Sequence, residues 1–203
     1  MTDAADDLSE ALDVPIASAE NLRTGDCRRL TGPGLLWDRA GATLEATYSG
    51  FAAVRVEALW RHHARRVLDA VHWQAESCTA RLFDGGISVA ISAPLDQLYA
   101  ATFVVQTAWH FVAADLLGAV RGDFRAMVAD LLDVMRREAD PKLIALADAA
   151  LRAGLEVLTD DELFTVGHGK ASASWAVGAL PDPGRARCTG STVPSWPRGR
   201  CSG

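Results

Sequence analysis

A chain of 203 residues that is 49% hydrophobic can bury one sizeable core, and its 23% charged content and mean hydropathy of +0.08 are those of an ordinary globular protein. The net charge of -6 argues against nonspecific nucleic-acid binding, which needs a concentrated basic surface. The four cysteines, Cys27, Cys78, Cys188 and Cys201, include no pair at the spacing of a zinc knuckle and read as structural or incidental thiols.

The opening "MTDAADDLSEALD" is acidic and has no basic region followed by an apolar one, so it is not a secretory signal. The expectation is a frayed leader over residues 1–25 and a cytoplasmic protein. Regular structure is expected from "CRRLTGPGLLWD", whose Gly32-Pro33-Gly34 centre must be a bend, because proline lacks a donor and glycine resists ordering. "ATLEATYSG" alternates and is rich in β-formers, which makes Ala42 to Tyr48 a predicted strand.

From Phe51 to Val71 apolar residues recur at helical spacing through Val56, Leu59, Trp60, His63, Val67, Ala70 and Val71, opposite Arg61, Arg65, Arg66 and Asp69. "TARLFDGGISVAISAP" reads as a β-hairpin turning at Asp84-Gly85-Gly86, where glycine supplies positive φ. Ser92 and Pro94 mark the start of a central helix that runs to Gly118. Gln106, His110 and Asp115 interrupt its apolar face, which suits a buried helix better than a lipid-facing one. Asp123 can cap a helix over Phe124 to Glu138 with Met127, Leu131, Val134 and Met135 inward, and Asp140-Pro141 opens another that runs to Gly154. "LEVLT" and "ELFTV" return the chain to strand. The predicted class is therefore α+β, an antiparallel sheet with helices packed on one face, forming a single domain over residues 26–183.

The segment "LFTVGHGKASASW" contains Gly-x-Gly-Lys-x-Ser and invites comparison with a phosphate-binding loop. A Walker A loop needs Gly-x4-Gly-Lys-Ser/Thr, but Phe164 stands where the first glycine belongs and Ala171 where the hydroxyl belongs. A Rossmann fingerprint fails at Ser172, which replaces the third glycine. The alternating flanks instead predict a hairpin, with Lys170 a solvated turn residue.

His62 and His63 are adjacent, so on a helix they point about 100° apart and cannot share an ion without a bend. His63 and His110 read first as hydrogen-bonded core histidines, and no metal site is expected. Asp160, Asp161 and Glu162 read as a solvated turn. Arg28, Arg29, Asp38 and Arg39 surround the Gly-Pro-Gly bend, and arginines can hold a carboxylate or phosphate bidentately; with His63 they are the substrate-binding candidates, weighed against plain surface ion pairing. No catalytic residue is identified.

On "RRLTGPGLLWDRAGATLE", "FDGGISVAISAPLDQLYAATFV" and "LTDDELFTVGHGKASASWAVGALPDP", the chain resembles the amino-terminal region of cyanophycin-synthetase-like members of the Mur ligase family, over about Cys27 to Pro183. Where the family more often has Gly-Pro-Asn, Gly34 follows Pro33 here. The resemblance implies an ATP-dependent ligase that joins a carboxylate to an amine through an acyl-phosphate. In such proteins a domain opening with a phosphate loop follows this region; the resemblance therefore implies an accessory, substrate-side domain, inactive alone, with ATP and Mg belonging only to the missing domain. Its partner would be a small-molecule or peptide substrate, with neither nucleic acid nor membrane. The alternative is a standalone α+β module for ligand binding or protein interaction.

The tail from Gly184 to Gly203 carries four arginines, no acid, and two of the four cysteines. Without those arginines 16 basic residues stand against 26 acidic ones, so composition changes abruptly at Pro183. A disordered basic tail is expected, and its Arg, Gly, Pro, Ser, Cys and Trp content is what a shifted reading frame in a GC-rich gene would produce.

Overall fold

A computed structural model describes residues 17–32, 37–160, 162–167 and 172–181. Four antiparallel strands form the first sheet: β1 (Leu22–Leu30), β2 (Gly41–Tyr48), β3 (Cys78–Phe83) and β4 (Gly86–Ser92), in the order β1-β2-β4-β3. Helices α1 (Ala53–Ala70), α2 (Leu98–Leu117), α3 (Phe124–Glu138) and α4 (Pro141–Arg152) and a second antiparallel sheet of β5 (Val157–Thr159), β6 (Leu163–Val166) and β7 (Ala173–Ala176) complete an α+β fold. The chain divides between Ala139 and Asp140 into two compact units, whereas the sequence reading takes residues 26–183 as one domain.

In the first unit the strand period of two creates the core. Ala42, Leu44 and Ala46 of β2 pair with Ile91, Val89 and Ile87 of β4, and all six are buried. Val56, Trp60, Val67 and Leu68 of α1 and Val105, Ala108, Trp109 and Val112 of α2 belong to the same core. Burying each Val, Leu or Ile among them contributes about 1.5–3 kcal/mol and each Ala less, so these rows dominate the energetics. The two tryptophans also place their one polar atom: the Trp60 indole donates to the Thr79 carbonyl at 2.9 Å, and that of Trp109 to Thr24 Oγ1 at 3.0 Å.

The hairpin turn is the one the composition predicts. Phe83 pairs with Gly86, leaving Asp84 and Gly85 as a two-residue loop, and Gly85 takes φ 71°. α3 and α4 start where expected, because Asp123 accepts from the Arg125 and Ala126 amides and Asp140 from those of Lys142 and Leu143.

Two boundaries differ. Strand β1 begins at Leu22, not near Cys27, so part of the expected leader is structured; Leu22 is fully buried opposite Tyr48. The central helix begins at Leu98 rather than at Ser92. Ser92 is the last residue of β4, where its hydroxyl accepts from the Ser77 amide and donates to Glu76, and Pro94 to Gln97 forms an intervening turn. Pro33 and Gly34 of the expected bend, residues 1–16 of the leader and the tail 184–203 lie outside the described residues.

The second unit is built on α4 and the β5-β6-β7 sheet. Phe164, Val166 and Trp175 are buried, with the Phe164 and Trp175 rings 6.5 Å apart. Asp160 makes a turn by accepting from the Glu162 and Leu163 amides at 2.9 and 2.7 Å, as a solvated turn before a strand requires.

Candidate functional site

The structure does not bring all five substrate-binding candidates together. Arg28 and Arg29 are successive residues of β1 and project to opposite faces of the sheet. Arg28 is exposed and pairs with Asp26 at 3.1 Å, with side chains 73% and 80% accessible. Such a pair is worth well under about 1 kcal/mol. Arg29 turns to the helix side, its guanidinium carbon 3.8 Å from the centroid of the Tyr99 ring. Asp38 and Arg39 are exposed in the β1–β2 connection. His63 is buried on α1 beside Asp115 of α2.

Arg29 leads to a polar cluster at the start of α2. The Glu138 carboxylate, at the end of α3, accepts from the Tyr99 and Ala100 amides, each at 2.7 Å. These amides belong to the first turn of a helix, where donors lack intrahelical partners and the helix dipole is positive. The residue preceding the helix, Gln97, makes no side-chain capping bond, so Glu138 supplies the cap from 38 residues away. Burial pushes the Glu138 carboxyl above its usual range, and Asp96 adds to the shift; the two amides and Arg29 act against it.

The other end of α2 carries a second cluster. Asp115 Oδ2 lies 3.0 Å from His63 Nε2, and Asp115 Oδ1 is in ionic contact with Arg121. His63 is 2% exposed, stacks on Phe111 at 5.8 Å between centroids, and has its Nδ1 buried without a hydrogen-bond partner among the described residues. Burial holds its pKa below 6.5, outweighing Asp115, which favours the charged form; His62 and Arg66 reinforce the depression. Neutral His63 donates from Nε2 to Asp115, a tautomer assigned from the hydrogen bond, and leaves a lone pair on Nδ1. That lone pair has the character of a base, but the side chain does not face solvent.

Tyr99 and Asp115 are 16 residues apart on α2, which at the helical rise is about 24 Å. Arg29 and His63 therefore cannot line one pocket. The expectation of core histidines matches the burial of His63 and of His110, whose Nε2 faces the Gly122 amide at 3.5 Å. Sequence reasoning missed Tyr99, Glu138 and Arg121. The signal it had was Asp115: a carboxylate interrupting a buried apolar run must find a partner.

Among the described residues no group of three or more His, Cys, Asp or Glu side chains is placed to hold a metal ion. Burial pushes the Cys27 thiol up to about 12, and it donates to the Thr102 carbonyl at 3.5 Å, so it is an inert core thiol at neutral pH. α2 is long and apolar enough to cross a bilayer, but 78% of its apolar stretch is buried within the fold, where it serves as the core helix. The Gly-x-Gly-Lys segment lies between β6 and β7, which pair antiparallel from Leu163–Ala176 to Val166–Ala173; residues 168–171 themselves lie outside the described set. No protein-family model matches the chain, and no curated protein matches it.

Proposed function

We propose that this chain is the amino-terminal accessory region of a cyanophycin-synthetase-like ligase of the Mur type, a substrate-side module that does not itself bind ATP. The resemblance over Cys27 to Pro183 suggests the family. The observation that supports this reading is the antiparallel pairing of β6 with β7, which flank the glycine-lysine segment. A phosphate loop joins a strand to a helix N-terminus, where unpaired amides collect, and here the glycine-lysine segment joins two strands of one sheet. The misplaced Phe164 and Ala171 point the same way.

In this reading ATP and Mg are bound by a separate domain of the ligase, and the module contributes contacts to a small-molecule or peptide substrate in the cytoplasm. Arg29 is the candidate best suited to that role, because it is held against Tyr99 and a guanidinium can grip a carboxylate with two hydrogen bonds. Isothermal titration of the purified chain with Mg-ATP tests the reading. The expected result is no saturable heat up to about 1 mM nucleotide, the upper end of ordinary substrate affinities. Tight, magnesium-dependent binding would overturn it.

A further inference from the structure

The connection between α2 and α3, residues 118–123, is tied down on both sides. Arg121 is in ionic contact with Asp115, the Gly122 amide faces His110 Nε2 at 3.5 Å, and the Ala119 amide donates to the Ala114 carbonyl at 2.9 Å. Between these ties Val120 is 94% exposed. The Asp115 carboxylate is shared: one oxygen holds Arg121 and the other holds His63 of α1. We propose that His63, Asp115 and Arg121 form an acid-released latch that holds the α2–α3 connection against α1.

The charged and titratable groups around His63 are Asp115 from α2, Arg121 acting through that carboxylate, and His62 and Arg66 from α1. The aromatic wall is Phe111, which Arg66 also approaches at 5.4 Å. With Nε2 already donating to Asp115, an added proton must go to Nδ1, a buried atom with no acceptor among the described residues. The resulting imidazolium is pressed on Phe111 beside Arg66. Burial accordingly disfavours the charged form more than Asp115 favours it. A histidine disfavoured in this way binds its proton more readily once the ring has swung out. The latch is therefore closed above the ordinary value of 6.5 and is released as pH falls below it. Release removes one of the two groups fixing Asp115 and leaves Arg121 on a mobile carboxylate.

Hydrogen exchange of the full chain at about pH 7.5 and about pH 5.5, either side of the imidazole range, tests this. After correction for the intrinsic exchange rate, protection of the Ala119 amide, whose acceptor is the Ala114 carbonyl, should fall by up to about tenfold, the limit set by a pH one unit below the ordinary value of 6.5. His63→Gln can still donate to Asp115 and cannot titrate, so its protection should stay level. Arg121→Gln, at a side chain 57% exposed, should lose protection at both pH values. The latch is refuted by equal wild-type protection at the two pH values, by an undiminished pH response in His63→Gln, or by full protection in Arg121→Gln. Should His63→Gln not fold, the wild-type and Arg121→Gln results decide the matter.

Discussion

At its first turn α2 receives a carboxylate from another helix, Glu138, where unpaired amides and the dipole welcome negative charge; near its last turn it carries its own, Asp115, where the same dipole opposes it. The two ends are stabilised by different means. Glu138 is satisfied by backbone donors and needs no exclusive cation, although its burial makes ionisation harder. Asp115 has the wrong sign for its position and depends on imported side chains, His63 from α1 and Arg121 from the following connection. A helix end that matches its charge can be held by main chain alone, whereas one that does not must recruit partners, and those partners bring titration with them.

Breaking the mismatched end should have the largest effect. Asp115→Ala leaves His63 without an acceptor and Arg121 without its anion, and chemical denaturation should show a loss of about 2–3 kcal/mol. Glu138→Ala orphans two amides at the matched end and should lose about 1–2 kcal/mol, the usual range for a lost helix cap; Glu138→Gln, which keeps an acceptor, should lose less. A loss after Glu138→Ala equal to that after Asp115→Ala would remove the distinction between the ends.

His63 at the mismatched end and Glu138 at the matched end should titrate in opposite senses. His63 is depressed in the folded state, so its contribution is present above 6.5 and is lost as pH falls through the folded value. Glu138 is raised, so the folded chain holds its proton above the ordinary value of 4.5 and the associated stability is lost as pH rises through the folded value. Unfolding free energy measured across this range should respond to Glu138→Gln only near the carboxylate range. The smallest effect belongs to Arg28→Ala, whose exposed pair with Asp26 should change stability by less than about 0.5 kcal/mol.

Much of the fold was legible in local chemistry. Asp123 and Asp140 announced two helices because a short acidic side chain before a helical run has orphan amides to accept from, and Asp84-Gly85 announced the hairpin because the turn needs positive φ. Leu22 was lost in an acidic leader, since its burial depends on pairing with Tyr48, 26 residues on. Ser92 reads as a helix cap in sequence because the hydroxyl that could cap a helix here closes a strand end through Ser77 and Glu76.

The candidate site was less legible for the same reason. Arg29 was singled out for its charge, but what distinguishes it from Arg28 is the strand alternation that sets it over Tyr99. Helical spacing marks His63 as a core histidine, while its partner lies 52 residues away.

By itself the sequence determined the helices, the hairpin and the misfit of "LFTVGHGKASASW" with a phosphate loop, because caps, turns and motif spacing act over a few residues. Only the tertiary structure decided which charges meet. Glu138 with the first amides of α2, and His63 with Asp115 and Arg121, are brought together by packing of the apolar faces, and local pattern carries no record of contacts made across that distance.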